Sequence, residues 1–322
     1  MYKLRKVILI FLQEGMMKKS NKKKLLVLGL GAVAAAATIS VLLPPKRQDT
    51  EYDSFDLKVP SKRNTDIHCT VVLPKTLHMM PLVILAHGFG ADRHEGGRFT
   101  MVANKLGSMG IASIRMDFPG CNDSKESYQE YHLSNMISDI KSCINYMITN
   151  YLIDEKHLGI IGYSMGGRLA TIYACIDHRI KTMALWAPAL TVGFNDLEDF
   201  MGGKAKLDEL RSEAENKGFV RFNDPFGGVK ELSKAYFNDM DHYDPLTALR
   251  AYQHNLLIIQ GNKDDIVKPP IINKAIKQLN ERCHFNYLYM DHANHGFGLW
   301  DEHPEQSEKL VKTTVSFFKH NL

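Results

Sequence analysis

Downstream of residue 50 the chain alternates two hydrophobic patterns. Short β-rich runs at 54–59, 68–73, 82–86, 112–116, 158–161, 182–186, 256–260 and 286–290 are bounded by polar or turn-forming residues, and several are apolar throughout. Continuous apolar runs of this length are expected of parallel strands covered on both faces. Longer segments at 99–109, 133–151, 165–175, 271–279 and 305–320 carry apolar residues at helical spacing. In the second of these, Met136, Ile140, Cys143, Ile144 and Met147 form one stripe that a helix would bury. Strand and helix in regular alternation predict an α/β domain over 48–322, a mostly parallel eight-stranded sheet with helices on both faces.

Two stretches break the rhythm. Residues 190–252 are rich in charge, carry Gly202-Gly203 and Asp224-Pro225-Phe226-Gly227-Gly228, and are too long for an ordinary connection. They read as a small helical lid inserted between two core strands. Its Phe194, Phe200, Phe219, Phe222, Phe226 and Tyr236 either pack the lid onto the body or meet a substrate.

The other stretch is 1–47. Lys18, Lys19, Lys22, Lys23 and Lys24 precede residues 25–43, nineteen positions without a charge. At 1.5 Å per helical residue such a run just crosses a hydrocarbon core of about 30 Å. It reads as a transmembrane anchor in the cell membrane, with the lysines inside and the folded domain outside. The alanines at 34–37 also suit a cleavable signal, which would give a secreted protein. Met16 and Met17 are alternative translation starts.

Composition narrows the function classes. The whole-chain charge of +4 comes from the N-terminal segment, where ten Lys or Arg face the single acid Glu14, so that the remainder carries −5. A mildly acidic body lacks the basic footprint that phosphate backbones require, and no nucleic-acid partner is expected. The five cysteines are widely spaced, without a CxxC pair or a histidine at zinc-ligand spacing, so neither a metal nor a disulfide framework is expected.

The candidate chemistry begins at Gly162-Tyr163-Ser164-Met165-Gly166, between the run at 158–161 and the helix at 165–175. A serine hydroxyl attacks a carbonyl only if a base takes its proton and if it protrudes, and glycines two residues to either side allow the sharp strand-to-helix turn that exposes it. Two acids, Asp264 and Asp265, follow the run at 256–260, and two histidines, His292 and His295, follow the last run.

Together, His87-Gly88-Phe89-Gly90, the segments 117–124 and 162–167, and the Gly261 to Val267 loop resemble the α/β-hydrolase superfamily. The closest resemblance is to its serine aminopeptidase and monoglyceride-lipase-like group, especially bacterial cinnamoyl and feruloyl esterases. The resemblance covers nearly everything from Tyr52 onward, and residues 232–244 are similar to part of the lid in such esterases. It implies an α/β-hydrolase fold and Ser164 as nucleophile. It selects Asp264, through a G-x-x-D-x-x-V pattern, and His295, through His-Gly-Phe, over their neighbours. It also assigns the oxyanion hole to the backbone N–H groups of Phe89 and Met165. The implied activity is hydrolysis of small carboxylic esters, of cinnamoyl, feruloyl or short-chain type, with no cofactor. One departure touches the pocket: Asn122 stands where the family's D-F-x-G-x-G-x-S pattern usually has glycine. Two other readings use the same residues. A peptidase would need an acid such as Glu198, Asp199, Asp224 or Asp239 to hold a free amine, and a membrane-tethered binding protein would use the scaffold without catalysis.

Overall fold

The computed structural model describes residues 49–301 and 303–322. The expected anchor or signal at 25–43 lies outside the described residues, and among those described no helix is long and apolar enough to cross a membrane.

In chain order the strands are β1 (Tyr52–Pro60), β2 (Asp66–Pro74), β3 (Met80–Ala86), β4 (Ala112–Met116), β5 (Ile153–Tyr163), β6 (Ile180–Trp186), β7 (Phe219–Asn223), β8 (Val229–Ser233), β9 (Asn255–Gly261) and β10 (His284–Met290). Eight form one sheet in the order β1-β2-β4-β3-β5-β6-β9-β10, while β7 and β8 pair apart from it. β1 and β4 each run antiparallel to β2, and every other neighbouring pair in the large sheet is parallel. Each of the eight strand runs read from the pattern lies within one strand of this sheet.

The helices are α1 (Arg98–Gly107), α2 (Leu133–Asn150), α3 (Met165–Ile176), α4 (Lys204–Lys217), α5 (Lys234–His242), α6 (Pro245–Ala251), α7 (Pro269–Ile276) and α8 (Pro304–Asn321). Successive side chains of a strand point to opposite faces, so a fully apolar strand needs cover on both. Leu82, Ile84, Ile160, Leu185 and Ile258 pack in one core with α2, α3 and α7. Val83, Leu85, Ile161, Trp186 and Ile259 pack in a second with α1 and α8. The stripe on α2 is buried as its spacing requires, and Asp139 is buried beside it, where Arg63 from the β1–β2 turn meets its carboxylate at 2.9 Å. Because β3, β5, β6, β9 and β10 run in parallel, the loops that follow them emerge along one edge of the sheet, the edge where open α/β sheets build their sites.

The insertion after β6 holds a 3₁₀ turn (Glu198–Met201), α4, the β7–β8 hairpin, α5 and α6. The helices match the expected lid, and the hairpin adds to it. β7 buries Val220 and Phe222 and exposes Arg221 and Asn223, a strand-like alternation only five residues long. Gly227 and Gly228 close the hairpin at φ 114° and 81°, conformations that only glycine adopts readily.

One buried cation ties this insertion to the core. Arg168, in α3, donates to the Ala189 and Gly193 carbonyls where the insertion begins, at 3.4 and 3.2 Å, and to the Met240 carbonyl in α5 at 2.9 Å. Burial lowers its pKa to about 10, which leaves it charged at neutral pH. Arg168→Met should therefore reduce unfolding free energy by about 2–4 kcal/mol, since it removes charge-assisted hydrogen bonds to three carbonyls and leaves that of Met240 without its donor. Urea denaturation measures this, and an unchanged midpoint would refute the role. The Asn122 departure also has a local cause. Asn122 sits at φ 45°, which asparagine tolerates better than most residues, and its side chain donates to Asp117 Oδ2 at 3.0 Å. Asn122→Gly should be nearly neutral and Asn122→Ala should cost about 1 kcal/mol, as read from paired thermal melts.

Candidate active site

Ser164 stands between the last residue of β5 and the first of α3, with φ 54° and ψ −116°. Its N–H donates to the Trp186 carbonyl at 2.9 Å, and its own carbonyl accepts from Gly167 and Ala189 at 2.9 and 3.0 Å. The turn brings backbones together too closely for side chains. A Cβ on Gly162 would lie 2.2 Å from the Gly166 carbonyl oxygen, and one on Gly166 would lie 2.0 Å from that of Ala86. Both flanking glycines are thus required by contact, whatever Ser164 does.

The loops after β9 and β10 bring two more groups to this point. Ser164 Oγ is 3.0 Å from His295 Nε2, and His295 Nδ1 is 2.8 Å from Asp264 Oδ2. Asp264 Oδ1 accepts from the Ile266 and Val267 N–H groups at 3.0 and 2.9 Å, and Oδ2 also accepts from Gln260 Nε2 at 3.0 Å. A buried carboxylate held this firmly keeps the imidazole proton on Nδ1 and leaves Nε2 free to accept from the serine hydroxyl. Tyr163 OH donates to the His295 carbonyl at 2.8 Å and fixes the histidine loop from the strand side. The competing residues lie elsewhere: Asp265 is exposed, and His292 is exposed at φ 61° with its N–H on Asn262 Oδ1.

The Phe89 and Met165 N–H groups flank the serine in the same cavity and donate to no other group among the described residues. The orientation of the first has a definite cause. His87 is wholly buried, accepts the Phe118 N–H at Nε2 and donates from Nδ1 to the Gly88 carbonyl at 2.8 Å. In a trans peptide the C=O and N–H point in opposite directions, so tying the Gly88 carbonyl to His87 turns the Phe89 N–H the other way. Burial keeps the His87 pKa below its ordinary value, consistent with this neutral, structural role.

The cavity over Ser164 has a volume of about 260 Å³. Phe89, Met165, Leu197, Phe200, Phe226 and Trp300 give it a largely apolar wall. Of the lid aromatics, Phe200 and Phe226 line it, whereas Phe194, Phe222 and Tyr236 are buried in the packing beneath. Asn122 does not line it. Nor do Glu198, Asp199, Asp224 or Asp239: Asp199 pairs with Lys268 at 2.7 Å, Asp224 accepts the Phe226 N–H at 2.9 Å, and Asp239 pairs with His132 at 2.8 Å. The acid that does line it is Glu95, which the sequence pattern did not single out, because a buried carboxyl in a loop has no periodic signature.

Comparison with known proteins agrees with this architecture. A family model described as alpha/beta hydrolase fold matches residues 81–224. An Escherichia coli protein named as an uncharacterized 31.7 kDa protein in the traX-finO intergenic region is 25% identical over 266 residues, covering 70% of this chain and 90% of that one. Human mitochondrial palmitoyl-protein thioesterase ABHD10 is 28% identical over 167 residues, 50% of this chain and 49% of that one. The structure of Est1E from Butyrivibrio proteoclasticus with ferulic acid bound superposes with a TM-score of 0.68 at 18% identity, covering 82% of this chain and 98% of that one. With its sheet order, its lid placed after β6 and these likenesses, the chain has the α/β-hydrolase fold and is similar to proteins of that superfamily.

Proposed function

We propose that this chain is a serine hydrolase of carboxylic esters, with Ser164 as nucleophile, His295 as base and Asp264 as the group that orients the base. The observation that carries the reading is the unbroken contact chain from Ser164 Oγ to His295 at 3.0 Å and from His295 to Asp264 at 2.8 Å, opening on an apolar cavity. In this reading His295 takes the hydroxyl proton as Ser164 Oγ bonds to the ester carbonyl carbon. The oxyanion accepts from the Phe89 and Met165 N–H groups, and its collapse breaks the ester C–O bond while His295 returns the proton to the departing alkoxide. Water, deprotonated by the same histidine, then attacks the acyl-enzyme and releases the acid and Ser164.

Two further observations support an ester with an apolar acyl group. Among the described residues no acid in the cavity is free to hold a substrate ammonium, since Glu95 is already bonded to Gly88 and faces Arg98, which disfavours an aminopeptidase. A cavity of about 260 Å³ with a largely apolar wall suits a medium aliphatic or a cinnamoyl-type acyl chain. A structural neighbour holding ferulic acid fits an acyl substrate of this kind.

Ser164→Ala should lower turnover of short p-nitrophenyl esters by about 10³-fold or more and abolish labelling by a fluorophosphonate probe. Asp264→Asn should lower kcat by about 10⁴-fold with KM little changed; substantial residual activity in either variant refutes the assignment. Across an ester panel, kcat/KM should peak for acyl groups of roughly six to ten heavy atoms and fall at least about tenfold by hexadecanoyl, and a peak at the longest chains would contradict the cavity reading.

A further inference from the structure

Among the described residues Glu95 is the one carboxyl that lines the cavity beside Ser164 and His295, and the mechanism above leaves it unused. It is fully enclosed, in the loop between β3 and α1, and sits at φ 50° just before Gly96 and Gly97. Its Oε2 accepts the Gly88 N–H at 2.9 Å, and its Oε1 faces the Arg98 guanidinium at 3.4 Å. Arg98 also donates to the Glu95 carbonyl at 3.2 Å and to the carbonyl of Gly296, the residue after the candidate base. The same guanidinium lies 5.0 Å from the centre of the Tyr163 ring, and it is the Tyr163 hydroxyl that holds the His295 carbonyl.

We infer that Glu95 and Arg98 are positioning residues for acyl transfer, a clamp that holds the Gly88–Phe89 oxyanion peptide and the His295 loop in register with Ser164. The inference rests on the proposed hydrolase reading. Gly88 is held from both sides: its carbonyl by His87, its N–H by Glu95. With both neighbouring peptide planes fixed, the Phe89 N–H keeps one direction, the condition for an oxyanion donor to act without reorganising. Through Arg98 the same carboxylate reaches the Gly296 carbonyl, so the donor loop and the base loop share one ionic link.

The clamp works only with Glu95 ionised. Protonation of either oxygen weakens one of these two contacts, because a carboxylic hydroxyl is a poorer acceptor than a carboxylate oxygen, and it leaves Arg98 buried without a counter-charge. Burial pushes the Glu95 carboxyl up to about 7, opposed by Arg98 and the Gly88 N–H. The other ionisable groups around it are Asp92 on its own loop, His295, and the phenols of Tyr131 and Tyr163, both pushed up by burial and therefore neutral. As pH falls through about 7 the clamp loosens, so activity should fall on the acid side as the Glu95 carboxyl takes up a proton.

The test uses full-length wild type, Glu95→Gln and Arg98→Lys, with Ser164→Ala as the reference for the underlying reading. Steady-state hydrolysis of p-nitrophenyl butyrate and fluorophosphonate labelling rates are measured between about pH 5 and 9, with a thermal melt for each variant. Glu95→Gln should lower kcat by about tenfold with KM within about twofold, as expected for a misaligned rather than a deleted oxyanion donor. Its acid limb should lose the fall near pH 7 that protonation of the Glu95 carboxyl produces in the wild type. If Glu95→Gln does not fold, Arg98→Lys, which keeps the charge but not the fork, decides by the same kcat criterion. A folded Glu95→Gln with wild-type kcat and a superimposable pH profile overturns the clamp, and so does a loss confined to KM. Residual turnover in Ser164→Ala instead overturns the hydrolase reading beneath it.

Discussion

The backbone of Ser164 is the constraint from which the rest of the site follows. A non-glycine residue held at φ 54° and ψ −116° costs roughly 1–3 kcal/mol and persists only where its surroundings over-determine it. Here they do: both backbone polar groups of Ser164 are bonded to β6 or to the turns that follow, and α3 begins so close to β5 and β3 that two glycines are needed for the backbones to pass. The strain is repaid by position. The hydroxyl stands clear of the strand on the edge of the sheet where the other loops converge.

Convergence at that edge explains how residues more than a hundred positions apart in the chain meet with hydrogen-bond accuracy. β9 lies beside β6, and β10 beside β9, so the loops that carry Asp264 and His295 leave the sheet next to the serine turn. Each is then fixed by groups outside the contact chain: Gln260 and two backbone N–H groups on Asp264, Tyr163 on the histidine loop, and His87 on the Gly88–Phe89 loop. In the proposed reading the reacting atoms are few, and most of the polar order around them serves to keep those few from turning.

Much of this was legible in the chain because it rests on short-range patterns. Eight β-rich runs produced eight sheet strands, and the glycine spacing around Ser164 marked a turn whose need for glycine is visible as backbone contact. Choosing His295 over His292 and Asp264 over Asp265 needed resemblance as well, since each pair differs by only a few residues and only the fold determines which member turns inward. What escaped notice lacks periodicity. The hairpin of β7 and β8 is five residues a side, too short to separate from a helical segment. Glu95 and Arg98 are charges that any composition-based reading assigns to the surface, and they are buried because they satisfy one another and nearby backbone groups. Asn122 departs from the family pattern without lining the cavity, and supplies the left-handed turn that glycine provides elsewhere.

Arg168 binds both the start of the insertion and its penultimate helix to the helix that begins at the serine. The insertion is thus fastened at its two roots, and what remains free to vary is the span between them, the part that carries Phe200 and Phe226. Such an arrangement behaves as an interchangeable cartridge. Its length and side chains can be rewritten to admit a different guest while the machinery below keeps its alignment, so diversification of substrate choice and preservation of chemistry fall to separate stretches of the same chain.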